Sequence, residues 1–315
     1  MWGRDGKSSL QFDQVFAPVV LGVAARDNLL FSKRFATAAE SGGSDQLTLV
    51  ESAVTCLGGK GLVFARSLVS LGGEPHLVTL IDRGAAIEGL VEGALTLASC
   101  PPWLSEPHEI WTVMSPAGQG TSAFVRLEDG AVHEAAYVSQ FRKALLGSAF
   151  VYITYDQPAL LRGALGPLRE AAARGLRVAL NLCAPLTLRC ADDDPDLLIE
   201  LVLSADLLIL NRDESDLALE MLKLDGWGSL ESERLGEIVI TDSVMGGRFA
   251  LSPFDNWTSY AAVSADGVNC VVGAGDTFNA AYLLSRWGRG LDALSACAFA
   301  AEVAGAKVKL RRSWY

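Results

Sequence analysis

Residues 271–278 read Val-Val-Gly-Ala-Gly-Asp-Thr-Phe, a strand-like end followed by small residues and an aspartate that opens a helical pattern. The small residues Gly273, Ala274 and Gly275 let the backbone approach a ligand, and a helix N-terminus presents unpaired N–H groups and a positive dipole end. Such a site suits a phosphoryl group in transfer, and Asp276 beside it can accept a proton from an attacking hydroxyl. Asp276 is equally well explained as the cap of the helix.

Short apolar runs alternate with helical patterns over most of the chain. This alternation predicts a three-layer α/β fold, in which helices cover both faces of a mostly parallel sheet. Ligands of such sheets bind beyond the carboxyl ends of the strands, so the chemistry is expected just after each strand. The predicted strands are 19–23, 76–81, 149–153, 178–182, 207–210 and 238–241, and the predicted helices are 61–71, 158–174, 214–223 and 276–287.

Two segments interrupt this alternation, residues 28–50 and 108–134. They are richer in Ser, Thr and Gly and contain alternating apolar and polar residues, which predicts short antiparallel strands that form a small β lid on the main sheet. Long surface loops are the alternative. Although 315 residues would accommodate two small domains, we expect one domain, 1–315, with the lid inserted in the α/β core.

Charge and composition exclude several classes of protein. The chain carries 26 Lys and Arg against 37 Asp and Glu, a formal net charge of −11, whereas partners such as nucleic acid or an anionic membrane require a surplus of cations. The most apolar stretch, 15–25, is about half as long as the roughly 20 residues of a membrane span. Six cysteines without CxxC spacing, three separated histidines and no secretion signal predict a cytoplasmic protein without a zinc site.

Two further loops at predicted strand and helix boundaries consist of small and polar residues. In the Gly-Gly-Lys-Gly turn at 58–61, glycines permit close backbone approach to a polar ligand, and Lys60 can reach a hydroxyl or a phosphate. Such a turn at a helix start is also common without function. The second loop, 241–247, follows a strand and combines the hydroxyl of Thr241 with a glycine pair that begins at Gly246.

Asn211 and Glu214 directly follow the predicted strand 207–210. Their spacing places an amide and a carboxylate on one helical turn, where oxygen ligands can hold a hydrated Mg²⁺. The same pair equally fits a capping box, in which both side chains only satisfy the backbone of the helix start.

Other nucleotide-binding motifs fail. A GxGxxG dinucleotide fingerprint that starts at Gly273 would need glycine where Phe278 stands, so a dinucleotide-dependent oxidoreductase is disfavoured. The Gly-Lys-Ser at 6–8 lacks the earlier glycine and the preceding strand of a P-loop.

Four motifs follow one another along the chain: Gly-Gly-Lys-Gly at 58–61, Asn-x-x-Glu at 211–214, the threonine loop at 241–247 and Gly-Ala-Gly-Asp at 273–276. Their order resembles that of the ribokinase-like (PfkB) carbohydrate kinase family. The resemblance runs from Gly22 to about Lys309, and Gly-Ala-Gly-Asp-Thr-Phe is its most specific motif. The first strand followed by Asp27 is similar to the substrate-binding strand of the family, and Asn181 followed by Ala-Pro at 184–185 is similar to its Asn-Pro-Ala-Pro strand end. The two irregular segments fall where the family carries its β lid.

The resemblance implies three groups of site residues. Phosphoryl transfer would be carried out by Asp276 as the catalytic base, with an anion hole formed by the backbone of the loop Gly273, Ala274, Gly275 and Asp276. The nucleotide side comprises Asn211, Glu214, Thr241 and Gly246, of which the first two also hold Mg²⁺ through water. The acceptor side comprises Asp27, Gly59, Lys60 and Asn181.

Four positions depart from the family pattern. Val63 replaces an asparagine and Ala25 a polar residue, which makes the acceptor pocket more apolar. In the threonine loop, Ser243 stands at the second glycine-type position of the family pattern. Cys270 replaces an aspartate that helps to form a monovalent-cation site in the family. Because a neutral thiol is a poor ligand for K⁺, we expect that K⁺ is not required.

The sequence therefore predicts an ATP- and Mg²⁺-dependent kinase that phosphorylates a hydroxyl of a small sugar or sugar-like acceptor. Two alternatives remain, a nucleoside kinase of the same fold and a catalytically silent member that binds nucleotide or sugar. The expected partners are the small-molecule acceptor, ATP and a second copy of the chain that would pair through the lid.

Overall fold

The computed structural model describes residues 16–35, 48–81, 96–99, 108–114, 120–126, 131–154, 156–263 and 270–309. Its strands are β1 Val19–Leu21, β2 Ala25–Phe35, β3 Thr48–Gly58, β4 His76–Thr79, β5 Thr96–Ser99, β6 Glu109–Met114, β7 Gly120–Arg126, β8 Phe150–Ile153, β9 Arg177–Asn181, β10 Leu207–Asn211, β11 Glu237–Thr241, β12 Gly247–Leu251 and β13 Trp257–Tyr260. Its α-helices are α1 Lys60–Ser70, α2 Glu134–Ala144, α3 Pro158–Ala172, α4 Ala184–Asp193, α5 Pro195–Ser204, α6 Arg212–Leu222, α7 Ala274–Leu283 and α8 Ala293–Lys309.

The central sheet has the order β13-β12-β11-β10-β9-β8-β1-β4-β5 within the described part of the chain. All pairs from β11 to β5 are parallel, and β11, β12 and β13 form an antiparallel edge. The predicted mostly parallel α/β fold is confirmed. Each of the six predicted strands and four predicted helices coincides with an observed element.

Helices cover both faces of this sheet, which explains why its strands are continuous apolar runs. In β10, Leu208 and Leu210 point into the core that is shared with α2 to α5, whereas Leu207 and Ile209 point into the core shared with α1, α7 and α8. All four side chains are buried. The polar residue that ends the strand, Asn211, therefore emerges at its carboxyl end, where the sheet leaves the core.

A second sheet, in the order β3-β2-β6-β7, forms the small lid of the predicted fold. The pairs β2–β3 and β6–β7 are antiparallel as predicted, but the central pair β2–β6 is parallel, because both strands begin at the same end with Arg26 opposite Glu109. In this sheet, the strands β2 and β3 are 11 residues long rather than short. Its strands begin earlier and end later than the predicted segment 28–50, since β2 starts at Ala25 and β3 runs to Gly58. At the other segment, 108–134, the last residues form a short 3₁₀ turn and the start of α2. Residues 36–47 of the predicted lid lie outside the described residues. In the described ranges, no helix is both long and apolar enough to cross a membrane.

Candidate active site

The N-terminus of α7 is open to a ligand. Gly273 caps it with a left-handed backbone, φ 75°, which favours glycine, and a Cβ there would lie 2.9 Å from Val63 Cγ1. The N–H groups of Gly275 and Asp276 make no hydrogen bond to any described residue. The predicted role of Ala274 differs from the structure, because its N–H donates to the carbonyl of Val271 at 3.1 Å. Two of the three N–H groups predicted for the anion hole, those of Gly275 and Asp276, are therefore left for a ligand by the described residues.

Asp276 lies beside these N–H groups and is 7% exposed. Its Oδ1 is buried, accepts no hydrogen bond from any described residue and lies 3.6 Å from Nζ of Lys60. Burial raises the pKa of Asp276 above its usual range, and the neighbouring Lys60 and Lys307 oppose that shift. Burial also disfavours the charged form of Lys60, but the carboxylates of Asp276 and Glu214 raise its pKa overall. The side chain of Asp276 is thus not a helix cap but a buried carboxylate paired with an ammonium.

Lys60 reaches Asp276 because α1 starts directly against the end of β1. A Cβ on Gly61 would lie 2.6 Å from the carbonyl of Gly22, so both glycines are needed for this contact. Further along, Ser67 Oγ and Thr277 Oγ are 2.9 Å apart and link α1 to α7. The two helices that carry the ion pair are therefore fixed to each other.

Three of the four predicted nucleotide-side residues line one cleft of about 330 Å³, and Glu214 is not among its lining residues. Five predicted residues line it: Asn211, Thr241, Gly246, Ala274 and Gly275. The rest of its lining is mainly apolar, namely Val244, Val263, Val271, Phe278, Ala301, Ala304 and Val308, with Ser243, Tyr260, Ala262 and Gly305. An apolar cleft that meets an open helix N-terminus fits a nucleotide, with the base in the cleft and the phosphates at α7.

Asn211 and Glu214 form a complete capping box at α6. Glu214 N–H donates to Asn211 Oδ1 at 2.8 Å, and Asn211 N–H donates to Glu214 Oε2 at 2.9 Å. Glu214 is 8% exposed, and its charge contributes to the raised pKa of Lys60. The second oxygen, Oε1, makes no hydrogen bond to any described residue, so a hydrated Mg²⁺ fits here alongside the cap.

The predicted acceptor-side residues lie at the base of the lid. Asp27 is buried on β2, and its Oδ2 accepts a hydrogen bond from Gly59 N–H at 3.4 Å. Gly59 has φ 88°, and a Cβ there would lie 2.5 Å from the carbonyl of Val23. Ala25 and Val63 are buried close by, in β2 and α1. Asp27, Gly59 and Lys60 are therefore brought together.

Asn181 has a structural position at the end of β9. Its Oδ1 accepts from Thr154 at 3.0 Å and its Nδ2 donates to the carbonyl of Ile209 at 2.8 Å, so it ties the ends of three neighbouring strands. Asp156, a buried carboxyl just after β8, is not among the predicted site residues. It accepts from Tyr137 at 2.6 Å, and burial raises its pKa to about 6. Its position just after the predicted strand 149–153, where functional residues are expected, could have indicated it as a site residue.

Cys270 is 5% exposed and packs with Leu29 of the lid. Its Sγ accepts a hydrogen bond from Val272 N–H at 3.3 Å, and burial raises the pKa of its thiol. A neutral thiol therefore stands at the start of the anion-binding loop.

Solved structures of kinases share this fold. A ribokinase from Giardia lamblia has a TM-score of 0.70 at 18% identity, with 94% of each chain covered. A nucleoside kinase from Methanocaldococcus jannaschii, described as a member of the ribokinase family, has a TM-score of 0.68 at 18% identity, with 95% of this chain and 93% of that chain covered. A microbiome-derived acarbose kinase has a TM-score of 0.67 at 20% identity, with 96% and 95% covered. No protein-family model and no curated protein matches the chain.

Proposed function

We propose that this chain is an ATP-dependent kinase that phosphorylates a hydroxyl of a small sugar-like acceptor. The observation that carries the proposal is the buried carboxylate of Asp276, which lies 3.6 Å from Lys60 and beside two N–H groups of α7 that bond to no described residue. A catalytically silent binder would have no use for a buried, unbonded carboxylate oxygen at an anion site, since its desolvation is costly. The kinases of the same fold act on ribose-like, nucleoside or acarbose acceptors according to their names, which supports the same reaction class.

In the proposed reaction, the acceptor hydroxyl transfers its proton to Asp276 while its oxygen attacks the γ-phosphorus of ATP. The bond from that phosphorus to the β-phosphate oxygen breaks, and ADP leaves. The N–H groups of Gly275 and Asp276 and the α7 dipole stabilise the charge that develops on the phosphoryl oxygens. The raised pKa of Asp276 makes it a stronger base than an exposed aspartate. Mg²⁺ held near Asn211 and Glu214 would neutralise phosphate charge.

A nucleoside is the second candidate acceptor, and the apolar acceptor side favours it. Val63 and Ala25 are buried where the resembled family has polar residues, so fewer side chains are available for sugar hydroxyls. We further propose a cytoplasmic location, where ATP is maintained, and a homodimer through the lid, whose strand β3 exposes Ser52, Ala53, Val54 and Thr55.

The direct test measures ADP release with a panel of free sugars, sugar phosphates, oligosaccharides and nucleosides. The proposal expects one acceptor class to stimulate ADP release well above the acceptor-free rate, and product analysis by mass spectrometry to show one added phosphate. Bound nucleotide without acceptor-dependent ADP release from any class would contradict the proposal.

The variant Gly275→Ala tests phosphate binding without disturbing the fold. A Cβ at Gly275 meets nothing within 4 Å, and alanine is favoured over glycine in a helix by up to about 1 kcal/mol, so the variant should unfold no earlier than the wild type. The added methyl would occupy the space offered to a phosphate, so ATP affinity and kcat/KM should fall. The matched control is Gly236→Ala at the opposite end of β11, where the methyl meets only the Asp206 carbonyl at 3.8 Å. Equal activity of both variants would show that no phosphate binds at Gly275.

A further inference from the structure

We propose that Tyr152, on β8, is a positioning residue that holds the two helices of the ion pair in place, one through its ring and the other through its hydroxyl. The residues that it positions are Lys60, at the start of α1, and Asp276, in the first turn of α7. This proposal rests on the proposed kinase function and concerns a residue outside the predicted site.

The ring of Tyr152 contacts α1 one turn after Lys60. It stacks on the ring of Phe64, with centroids 3.8 Å apart and planes inclined by 12°. Phe64 follows Lys60 by four residues, so the two side chains lie on the same face of α1. Both rings are fully buried. The stack therefore ties the turn of α1 that carries Lys60 to the central sheet.

The hydroxyl of Tyr152 contacts α7 just under one turn after Asp276. It accepts a hydrogen bond from Nδ2 of Asn279 at 2.9 Å, and Asn279 follows Asp276 by three residues. Tyr152 and Asn279 are both buried, so a donor that lost this acceptor would be left unsatisfied away from water. The bond therefore fixes the rotation of the first turn of α7 relative to the sheet.

Tyr152 is a fixed point because its own backbone is held on both sides. Its parallel neighbours are Val20 of β1 and Ala179 of β9, in the middle of the central sheet. Burial raises the pKa of its phenol, as does the charge of Asp276, so Tyr152 stays neutral and adds no charge to the site. One side chain thus joins both helices to one rigid strand and helps to set the 3.6 Å between Lys60 Nζ and Asp276 Oδ1.

The experiment compares Tyr152→Phe, the double variant Tyr152→Phe/Asn279→Leu and Tyr282→Phe. The first variant keeps the ring stack but leaves Asn279 Nδ2 buried without its acceptor, so its Tm should fall. The double variant removes both partners of the bond, so its Tm should return towards the wild-type value. Tyr282→Phe is the matched control, because it removes another buried hydroxyl of α7, one that bonds to Glu237 at the start of β11, far from the carboxyl end of that strand.

Steady-state kinetics separate positioning from stability. We expect kcat to fall by about tenfold or more in Tyr152→Phe and to stay low in the double variant, with the KM for ATP little changed, since misplaced reacting groups slow the chemical step. Tyr282→Phe should keep the wild-type kcat although its Tm falls. An unchanged kcat in Tyr152→Phe would overturn the proposal. So would a kcat that recovers together with the Tm in the double variant, because that result assigns Tyr152 a structural role only. If Tyr152→Phe does not fold, the double variant decides alone.

A second readout needs no turnover. The pKa of Asp276 is measured in the ligand-free proteins by carbon NMR of the aspartate side chains, with the signal assigned through Asp276→Asn. Burial raises this pKa and the charges of Lys60 and Lys307 lower it, and both lysines are retained in the variants. A longer distance between Lys60 and Asp276 therefore raises it further. We expect a higher pKa in Tyr152→Phe and the wild-type value in Tyr282→Phe.

This second readout distinguishes the positioning role from the kinase function. A wild type without acceptor-dependent ADP release would refute the function while a raised pKa of Asp276 in Tyr152→Phe still supported the positioning role. If the pKa of Asp276 is the same in Tyr152→Phe and in the wild type, the positioning role is wrong whatever the activity.

Discussion

Replacing Lys60 by methionine removes the nearest positive charge from Asp276 while it keeps an unbranched apolar side chain. The two groups are 3.6 Å apart, so at an effective dielectric constant of about 20 their unscreened attraction is about 5 kcal/mol. The side chain of Lys60 is 32% exposed, and solvent screening reduces this attraction to about 1–3 kcal/mol, so loss of Lys60 should raise the pKa of Asp276.

The direction of the effect on rate follows from the role of Asp276. A base must be ionised, and loss of Lys60 raises the pKa of that carboxylate. Lys60→Met should therefore lose activity at neutral pH and regain it as the pH rises, with the acid limb of kcat against pH displaced to higher pH.

The assay is initial-rate ADP release at saturating acceptor and ATP across the pH range, with thermal unfolding of each variant measured alongside. Lys143→Met is the control, since Lys143 is an exposed residue at the end of α2, near the amino ends of the strands. If the acid limb coincides with that of the wild type and only the acceptor KM rises, Lys60 is a substrate ligand and the electrostatic reasoning is wrong.

Three further predictions concern the same site. Asp276→Asn should lower kcat by about 10²–10⁴-fold with ATP affinity within a few-fold, because the amide cannot accept the proton; a variant that keeps a tenth of the activity would exclude a catalytic base. Glu214→Gln should raise the Mg²⁺ concentration for half-maximal rate, and an unchanged titration would leave Asn211 and Glu214 as a capping box only. Replacing KCl by tetramethylammonium chloride at constant ionic strength should leave the rate unchanged, and a loss of several-fold would show that Cys270 does not abolish a K⁺ site.

The predicted elements were those with a strong periodic signal. The parallel strands are buried on both faces and therefore appear as short apolar runs, of which Leu207 to Leu210 is an example. Helix α8 escaped prediction because it is rich in alanine and apolar residues on several faces, so it lacks the polar stripe that identifies a surface helix. The predicted boundaries of the lid differ from the observed ones because the sequence around Ala25 and Gly58, which pair with each other, does not alternate between apolar and polar residues.

The candidate site was predictable where its residues share a local motif and unpredictable where it depends on distant contacts. The loop 273–276 and the pair of Asn211 and Glu214 are local. The ion pair of Lys60 with Asp276 joins residues 216 positions apart, and it depends on the close approach of Gly22 to Gly61. No local motif contains both residues, because they come together only when β1, α1 and α7 pack against one another.

Val63 and Cys270, two of the four departures from the family pattern, both help to hold the loop 270–273 in place. Val63 lies against the position that Gly273 must leave without a side chain, and Cys270 packs with Leu29 while its sulfur accepts the N–H of Val272. The loop 270–273 is thus held on both sides by apolar contacts and one hydrogen bond to sulfur. An anion-binding loop needs its N–H groups fixed before the charge develops, and packing can fix them as well as a bound cation can. The valine that removes a polar contact from the acceptor side therefore also supports the loop, which is the physical reason to expect a kinase that works without K⁺.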